Sequence, residues 1–245
     1  MSLTDDKQRR SNDREQELIR IAEVVIAKHG FMGLSIDKIA ARFELSRPTI
    51  YQHFGNKADV LCAVATEVLE REWRACEHAI PHTTTPRERI LTTIVAFSTV
   101  TRRYPSMIAL SAVLHDRLMM KRVSVERRER LSALRAKIHA KAVGFVRDAI
   151  DAGDLPADSD PASVMLPLWA MMVGGSAVVA DPLGDWRSRV ERPDEAYYRG
   201  VHTLLNGLGW RPIVELDQVD GVTEPIDRRV REQIEAEFGH VQPDE

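Results

Sequence analysis

Residues 35–57, Ser-Ile-Asp-Lys-Ile-Ala-Ala-Arg-Phe-Glu-Leu-Ser-Arg-Pro-Thr-Ile-Tyr-Gln-His-Phe-Gly-Asn-Lys, constrain the fold more than any other stretch of this chain. Ser35 and Ser46 each precede an apolar-periodic run and offer a hydroxyl to backbone N–H groups two or three residues on. Pro48 falls in the first turn of the second run, where a missing donor costs little. Two helix starts therefore lie eleven residues apart. Ile39, Ala40, Phe43, Leu45, Ile50 and Phe54 recur at spacings of three and four, so the pair can pack crosswise around one small core. Arg47, Thr49, Tyr51, Gln52 and His53 are left for the outer face of the second helix. Arg and Gln bond guanine or adenine edges bidentately, and a helix of this size fits the major groove. The pattern is that of a helix-turn-helix reader, although the same periodicity also serves in helical proteins that never meet DNA.

From about Arg14 to Val64 the chain resembles the N-terminal domain of the TetR family of bacterial transcription regulators. The most specific matches are Ile39-Ala40, Ser46-x-x-Thr49-x-Tyr51-x-His53-Phe54 and Asn56-Lys57-x-x-x-Leu61. The resemblance implies that the second helix enters the groove. Ser35, Ser46, Arg47, Pro48, Thr49 and Gln52 would then touch bases or phosphates, and Tyr51, His53 and Lys57 would clamp the phosphate backbone. One departure stands out. The family commonly has Ala then Gly in the turn, where this chain has Phe43 and Glu44. A left-handed conformation at Glu44 would cost roughly 1 kcal/mol because of its Cβ.

A chain of 245 residues accommodates a small reader and a larger partner domain. The boundaries expected are 1–60 for a helix-turn-helix DNA-binding domain, 61–210 for a helical ligand-binding and dimerisation domain, and 211–245 for an acidic C-terminal extension. The most apolar stretch, 164–180, is interrupted by Pro167, Gly174, Gly175 and Ser176, so no membrane span is expected. The polar start, Met-Ser-Leu-Thr-Asp-Asp-Lys, lacks the apolar stretch of a signal peptide, which points to the cytoplasm. Cys62 and Cys76 fall fourteen residues apart on one expected helix, about 21 Å along its axis, and cannot bridge each other.

Charge is less accommodating to a DNA reader. The chain nets −3, and residues 1–60 hold ten Lys and Arg against nine Asp and Glu. Phosphate affinity must come from local placement of Arg47, His53 and Lys57, with Lys7, Arg9, Arg10 and Arg14 in the leading arm. Pairing two readers on one duplex is the natural remedy for weak single-copy binding.

Helix follows helix along the rest of the chain. Leu18, Ile21, Ala22 and Val25 form a stripe ending at Gly30, so a first helix is expected over 13–29. Asn56 reads as the N-cap of a fourth helix reaching about Ala79, with Asp59 completing an approximate capping box. Further helices are expected over 87–103, 105–118, 125–152, 161–180 and 193–208, giving nine in all and no strand. The fold class is therefore all-α, with an N-terminal three-helix reader and a larger helical domain.

Two of these helices carry a dimer expectation. The 161–180 segment, with Leu166, Leu168, Trp169, Met172, Val173 and Val178, is apolar nearly all round, and the next helix has a broad apolar face. Trp169, Val173, Ala177, Tyr198, Val201, Leu205 and Leu208 are the interface candidates. In the resembled family the corresponding helices of two subunits form a four-helix bundle; the alternative is that they are core of one subunit. Pocket candidates for a small-molecule effector are Phe97, Thr101, Met107, Leu110, Leu114, Phe145, Trp169 and Met172, which combine adaptable Met with large aromatics.

Nine Lys and Arg between 117 and 141 face only Glu126 and Glu129. Such a run is ordinarily a solvated helix face; the alternatives are an anionic pocket mouth at Arg117, Lys121 and Arg122, or an addition to the field around DNA. From Arg211 the balance inverts to ten acids against four bases. Ile226, Val230, Ile234 and Phe238 there suggest a short amphipathic helix docking on its own subunit or its partner, followed by a disordered tail from His240.

Enzymatic motifs are absent. His115-Asp116 and His139 lack helical metal-ligand spacing, and Asp154, Asp158 and Asp160 lack the Gly and closing Glu of a calcium loop. No phosphate-binding or dinucleotide Gly motif and no Gly-x-Ser-x-Gly occurs, so neither a cofactor nor a resident metal is expected. The expectation is a ligand-responsive transcription regulator, in the first instance a repressor, that binds a palindromic double-stranded operator as a homodimer and is released by a small molecule. The alternatives are an activator of the same fold and a helical protein-interaction module without DNA binding.

Overall fold

The computed structural model describes residues 3–43, 46–104, 110, 115–181, 184 and 186–239. The expected all-α architecture is found, with no strand among the described residues. The chain divides into two compact units. The first takes in the chain up to Glu70 together with Tyr104–Leu134, and the second takes in Arg71–Arg103 and Arg135–Gly239.

In the first unit, α1 (Leu3–His29), α2 (Ile36–Phe43) and α3 (Arg47–His53) precede the opening turns of α4 (Lys57–Ala79). The helix α6 (Arg117–Arg122) and the start of α7 (Val125–Asp151) complete it. Leu18, Ile19, Ala22 and Ile26 of α1 pack in a core with Ile39, Ile50, Phe54, Leu61 and Val64, all 2% exposed or less. Gly30, at φ 67°, ends α1 in the left-handed conformation that only glycine adopts freely, its N–H donating to the Ile26 carbonyl.

The start of α1 differs from expectation. The helix begins at Leu3 instead of 13, so the leading basic residues lie on a helix and not on a loose arm. Residues 9–14 are exposed and therefore carry no apolar stripe from which that extension could have been read. Asp6 stands four residues before Arg10, the charge order that supports an exposed helix.

The second unit contains the remainder of α4 and α7 with α5 (Pro86–Arg103), α8 (Pro161–Ala170), a π-helical turn (Met171–Gly175), α9 (Ser176–Ala180), α10 (Trp186–Arg189), α11 (Pro193–Gly207) and α12 (Val219–Phe238). Asp160 caps α8, its carboxylate accepting from Ser163 N at 2.9 Å, and Pro161 occupies the first turn. The expected single helix over 161–180 is thus broken by a π turn, where Gly175 lets the chain approach α11: a Cβ there would stand 2.5 Å from the Tyr197 ring. The close approach permitted by Gly175 and Ser176 is within one chain, since Ser176 Oγ donates to Tyr197 Oη at 3.2 Å.

The acidic extension is not an appendage. Its helix α12 is longer than the short one expected and packs along α5, burying Ile226, Val230, Ile234 and Phe238 to 2% exposure or less. A buried polar cluster ties the segment before it to the same core. Arg87 of α5, 2% exposed, donates to the Trp210 carbonyl at 2.5 Å and to Asn206 Oδ1 at 2.8 Å, and its Nη2 lies 3.3 Å from His202 Nδ1. Facing a cation, His202 Nδ1 must be the acceptor, so Nε2–H donates to Thr223 Oγ1 at 3.1 Å. Asn206 bonds both the N–H and the carbonyl of Val214, anchoring the extension to α11.

Expectations at Glu44, Leu45 and the Phe43 side chain lie outside the described residues, as does most of the helix expected over 105–118 and the tail from His240. Cys62 and Cys76 are both free and buried on α4, and burial pushes the Cys76 thiol up to about 12.

Candidate nucleic-acid interface

The three-helix reader is built as its residue types dictate. Ser35 Oγ accepts from Lys38 N at 3.2 Å at the head of α2. Ser46 caps α3, accepting from Thr49 N at 3.4 Å and bonding Thr49 Oγ1 at 2.8 Å. Pro48 sits in the first turn of α3. Ile50 and Phe54 turn inward at 0% and 1% exposure, which fixes the rotation of α3 and leaves Ser46, Arg47, Pro48, Tyr51 and Gln52 exposed with Thr49 half-buried. Arg47 is paired with the Asp37 carboxylate in the first turn of α2. A carboxylate therefore stands on the same outward surface as the guanidinium.

His53 departs from the expected outward placement. Its side chain is only 11% exposed, with Nδ1 4.0 Å from Glu15 Oε2 on α1. The reason is helical geometry: His53 follows Ile50 by three residues and shares its inward stripe. Lys57 is half-buried at the head of α4 and donates through Nζ to the Met32 carbonyl at 3.2 Å. Partial burial first, and the neighbouring Lys38 second, lower its ammonium below the usual lysine range. Two close cations with no carboxylate between them form a place where an anion is welcome.

The junction between α3 and α4 is held by residues far along the chain. Asn56 caps α4, its Oδ1 accepting from Ala58 N and Asp59 N at 2.7 and 3.1 Å. Asp59 bonds Gly55 N at 3.1 Å, one residue earlier than a capping box requires, and its other oxygen accepts from Ser124 N at 2.7 Å. Arg127 of α7 donates to Glu15 Oε1 at 3.0 Å and to the His53 carbonyl at 2.8 Å, with its guanidinium carbon 4.5 Å from the Phe54 ring centre. Sequence reading placed Arg127 in a solvated basic run. No local pattern could have paired it with Glu15, 112 residues away.

Comparison with known proteins decides what this arrangement is. Residues 18–64 match the family model for bacterial regulatory proteins of the tetR family. This is a TetR-family DNA-binding domain. The HTH-type transcriptional activator FasR of Mycolicibacterium smegmatis is 29% identical over 86 residues, 35% of this chain and 39% of that protein, so the match spans well under half of the relative's length. The fold extends further. A TetR/AcrR-family regulator of Thermobifida fusca YX-ER1 aligns with a TM-score of 0.59 at 22% identity over 80% of this chain and 98% of its own. The regulator FadR of Bacillus subtilis, solved in complex with stearoyl-CoA, aligns with a TM-score of 0.57 at 16% identity over 86% and 96%.

The remaining expectations of this TetR-family chain are redistributed by the structure. Tyr198, Val201 and Leu205, expected at a subunit interface, are 7%, 0% and 0% exposed within the single chain, because the stripe of α11 that carries them packs inside its own unit. Leu208, Trp169 and Val173 are half-buried and Ala177 is exposed. Trp169 lies against His139, ring centres 5.8 Å apart. Leu166 and Val178 are 72% and 53% exposed. By length and composition alone Pro161–Val179 is apolar enough to cross a membrane, contrary to expectation, with only 22% of that window buried.

Of the pocket candidates, Phe97, Phe145, Trp169 and Met172 are half-buried, and Thr101 is buried with its hydroxyl donating to the Phe97 carbonyl at 2.8 Å. Leu110 is fully buried in the first unit, and Met107 and Leu114 lie outside the described residues. A surface cleft of about 390 Å³ in the second unit is lined by none of them. Its charges are matched internally: Arg102 pairs with Asp194 at 3.0 Å and Asp227 at 3.5 Å, and Arg231 with Asp227 at 2.6 Å.

Proposed function

We propose that the chain is a homodimeric, effector-responsive transcriptional repressor whose two α3 helices read successive major grooves of a palindromic operator. The carrying observation is the rotation of α3: Ile50 and Phe54 are locked in the core while Arg47, Tyr51 and Gln52 stand outward. In this reading Arg47 and Gln52 read base edges. Ser35, Ser46, Pro48, Thr49, Tyr51 and Lys57 hold the backbone, and His53 acts from the edge of the contact through its partly buried ring. Half-site centres lie about 34 to 36 Å apart, or a multiple of it.

The second copy is proposed to cover the exposed apolar side of α8 and α9, including Leu166, Ala177 and Val178, with Trp169, Val173 and Leu208 at its margin. A small organic effector binds in the helical unit and favours the form that does not fit the operator; a stearoyl-CoA complex of the similar Bacillus subtilis protein supports such a ligand. A soluble regulator of this kind works in the cytoplasm. Activation is the second reading, favoured by the activator FasR among the relatives.

A gel-shift against DNA flanking the chain's own gene, followed by transcription in vitro from that template, tests both readings. A retarded dimer complex with reduced transcript supports repression, and a raised transcript supports activation. No retardation at low salt by a stable dimer would leave only a protein-interaction module.

A further inference from the structure

We propose that the corner joining α6 to α7 is a second DNA-backbone contact, in which Lys121 and Arg122 bond phosphates flanking the segment read by α3. The proposal rests on the DNA-binding reading above and adds a site outside the matched residues 18–64.

Three observations converge on it. The corner is pinned to the reader: Asn56 Nδ2 donates to the Arg122 carbonyl at 2.9 Å, Ser124 N donates to Asp59 at 2.7 Å, and Arg127 grips the end of α3. Arg122 is thus held beside Asn56, the residue immediately before the phosphate-clamp candidate Lys57. The second observation is charge supply. The first sixty residues are nearly neutral, whereas residues 104–134 of the same unit hold six Lys and Arg against three acids.

The third is that the relevant cations are uncommitted. Arg127 and Arg130 are paired with Glu15 and Glu70, and Arg128 donates to the Met120 carbonyl. Lys121 and Arg122 are exposed, and no carboxylate among the described residues pairs with either. An exposed cation with no internal partner gives up nothing when it meets a phosphate, and each such contact releases about one counterion. Arg47, by contrast, must leave or share Asp37.

The test is the double variant Lys121→Ala/Arg122→Ala, titrated by fluorescence anisotropy on a duplex of about 40 base pairs that the wild-type protein has selected from a random pool. Asn56 bonds the main chain of Arg122, so the pin survives the substitution, and an unchanged melting temperature verifies it. The slope of log K against log[KCl] is expected to flatten by about two, with base preference unchanged. Trimming the duplex from both ends should erase the difference between variant and wild type. Equal slopes on the long duplex, or a changed base preference, would overturn the proposal. If the wild-type chain selects no duplex at all, it is the DNA-binding reading that fails.

Discussion

Arg127 donates through Nη2 to the main-chain carbonyl of His53, 2.8 Å away, and so ties α7 to the last turn of the helix that faces DNA. A cation at a helix C-terminus is favourable, and the same guanidinium also holds Glu15 and covers Phe54. Arg127→Ala leaves a partly buried carboxylate and a helix-terminal carbonyl without their donor. The expected loss is about 2 to 3 kcal/mol in a urea unfolding experiment, with amide exchange quickened at 50–54. Arg127→Lys should recover only part of it, because an ammonium lacks the planar fork that reaches two acceptors at once.

The Asp37 and Arg47 pair predicts a gain. Exposed ion pairs contribute about 0 to 1 kcal/mol, so Asp37→Ala should leave stability nearly unchanged. It removes a negative charge from the face presented to phosphate and frees the guanidinium. Operator affinity should rise by roughly threefold to fivefold at low salt, measured by anisotropy. Weaker binding would mean that the carboxylate instead aims Arg47 at its base.

Two buried groups make stability depend on pH in opposite directions. Burial raises the Glu72 carboxyl to about 8, so the folded chain holds a proton that the unfolded chain releases from about 4.5 upward. Its contribution is complete in acid and is lost as pH rises toward 8, at up to about 1.4 kcal/mol per pH unit. Burial, and then the Arg87 charge, lower His202 to about 4. The unfolded state therefore binds the extra proton, and stability falls as pH drops from about 6.5 toward 4. Urea midpoints of wild type and Glu72→Gln across pH 5 to 8.5 separate the two, because glutamine keeps the neutral shape. The variant should lose the decline above about 6.5 and keep the acid limb. An unaltered alkaline limb would show that Glu72 is ionised inside the fold.

Burial sorts the apolar residues of α8 and α11 into two kinds of mutant. Leu166→Asp alters a side chain that is 72% exposed and should turn a dimer into a monomer in analytical ultracentrifugation while the melting temperature of dilute protein stays put. Leu205→Ala removes a fully buried side chain and should cost about 2 to 5 kcal/mol of unfolding free energy without specifically dissociating the dimer. The reverse pattern would place α11 at the subunit boundary.

What could be read in advance follows from the range of the forces involved. The caps at Ser35, Ser46 and Asn56 and the stripe Ile39, Ile50, Phe54 are local matters of spacing, and they appear where the residues place them. His53 was also legible, since its three-residue step from Ile50 turns it inward, but the resemblance suggested an outward clamp. For Val201 and Leu205 periodicity marks an apolar stripe, yet it carries no information on whether the covering surface belongs to the same chain. Arg127 shows the limit most clearly. Within a basic run nothing separates the one guanidinium that folds inward from its solvated neighbours, because its acceptors come from α1 and α3.

The burial of Phe238 against α5 bears on how much of the chain is indispensable. Stopping synthesis after Gly209 would strip α5 of its cover and leave Arg87 without the Trp210 carbonyl. The product would be an aggregating fragment, not a pared-down regulator, so the acidic end serves as a wall of the house it seems merely to adjoin.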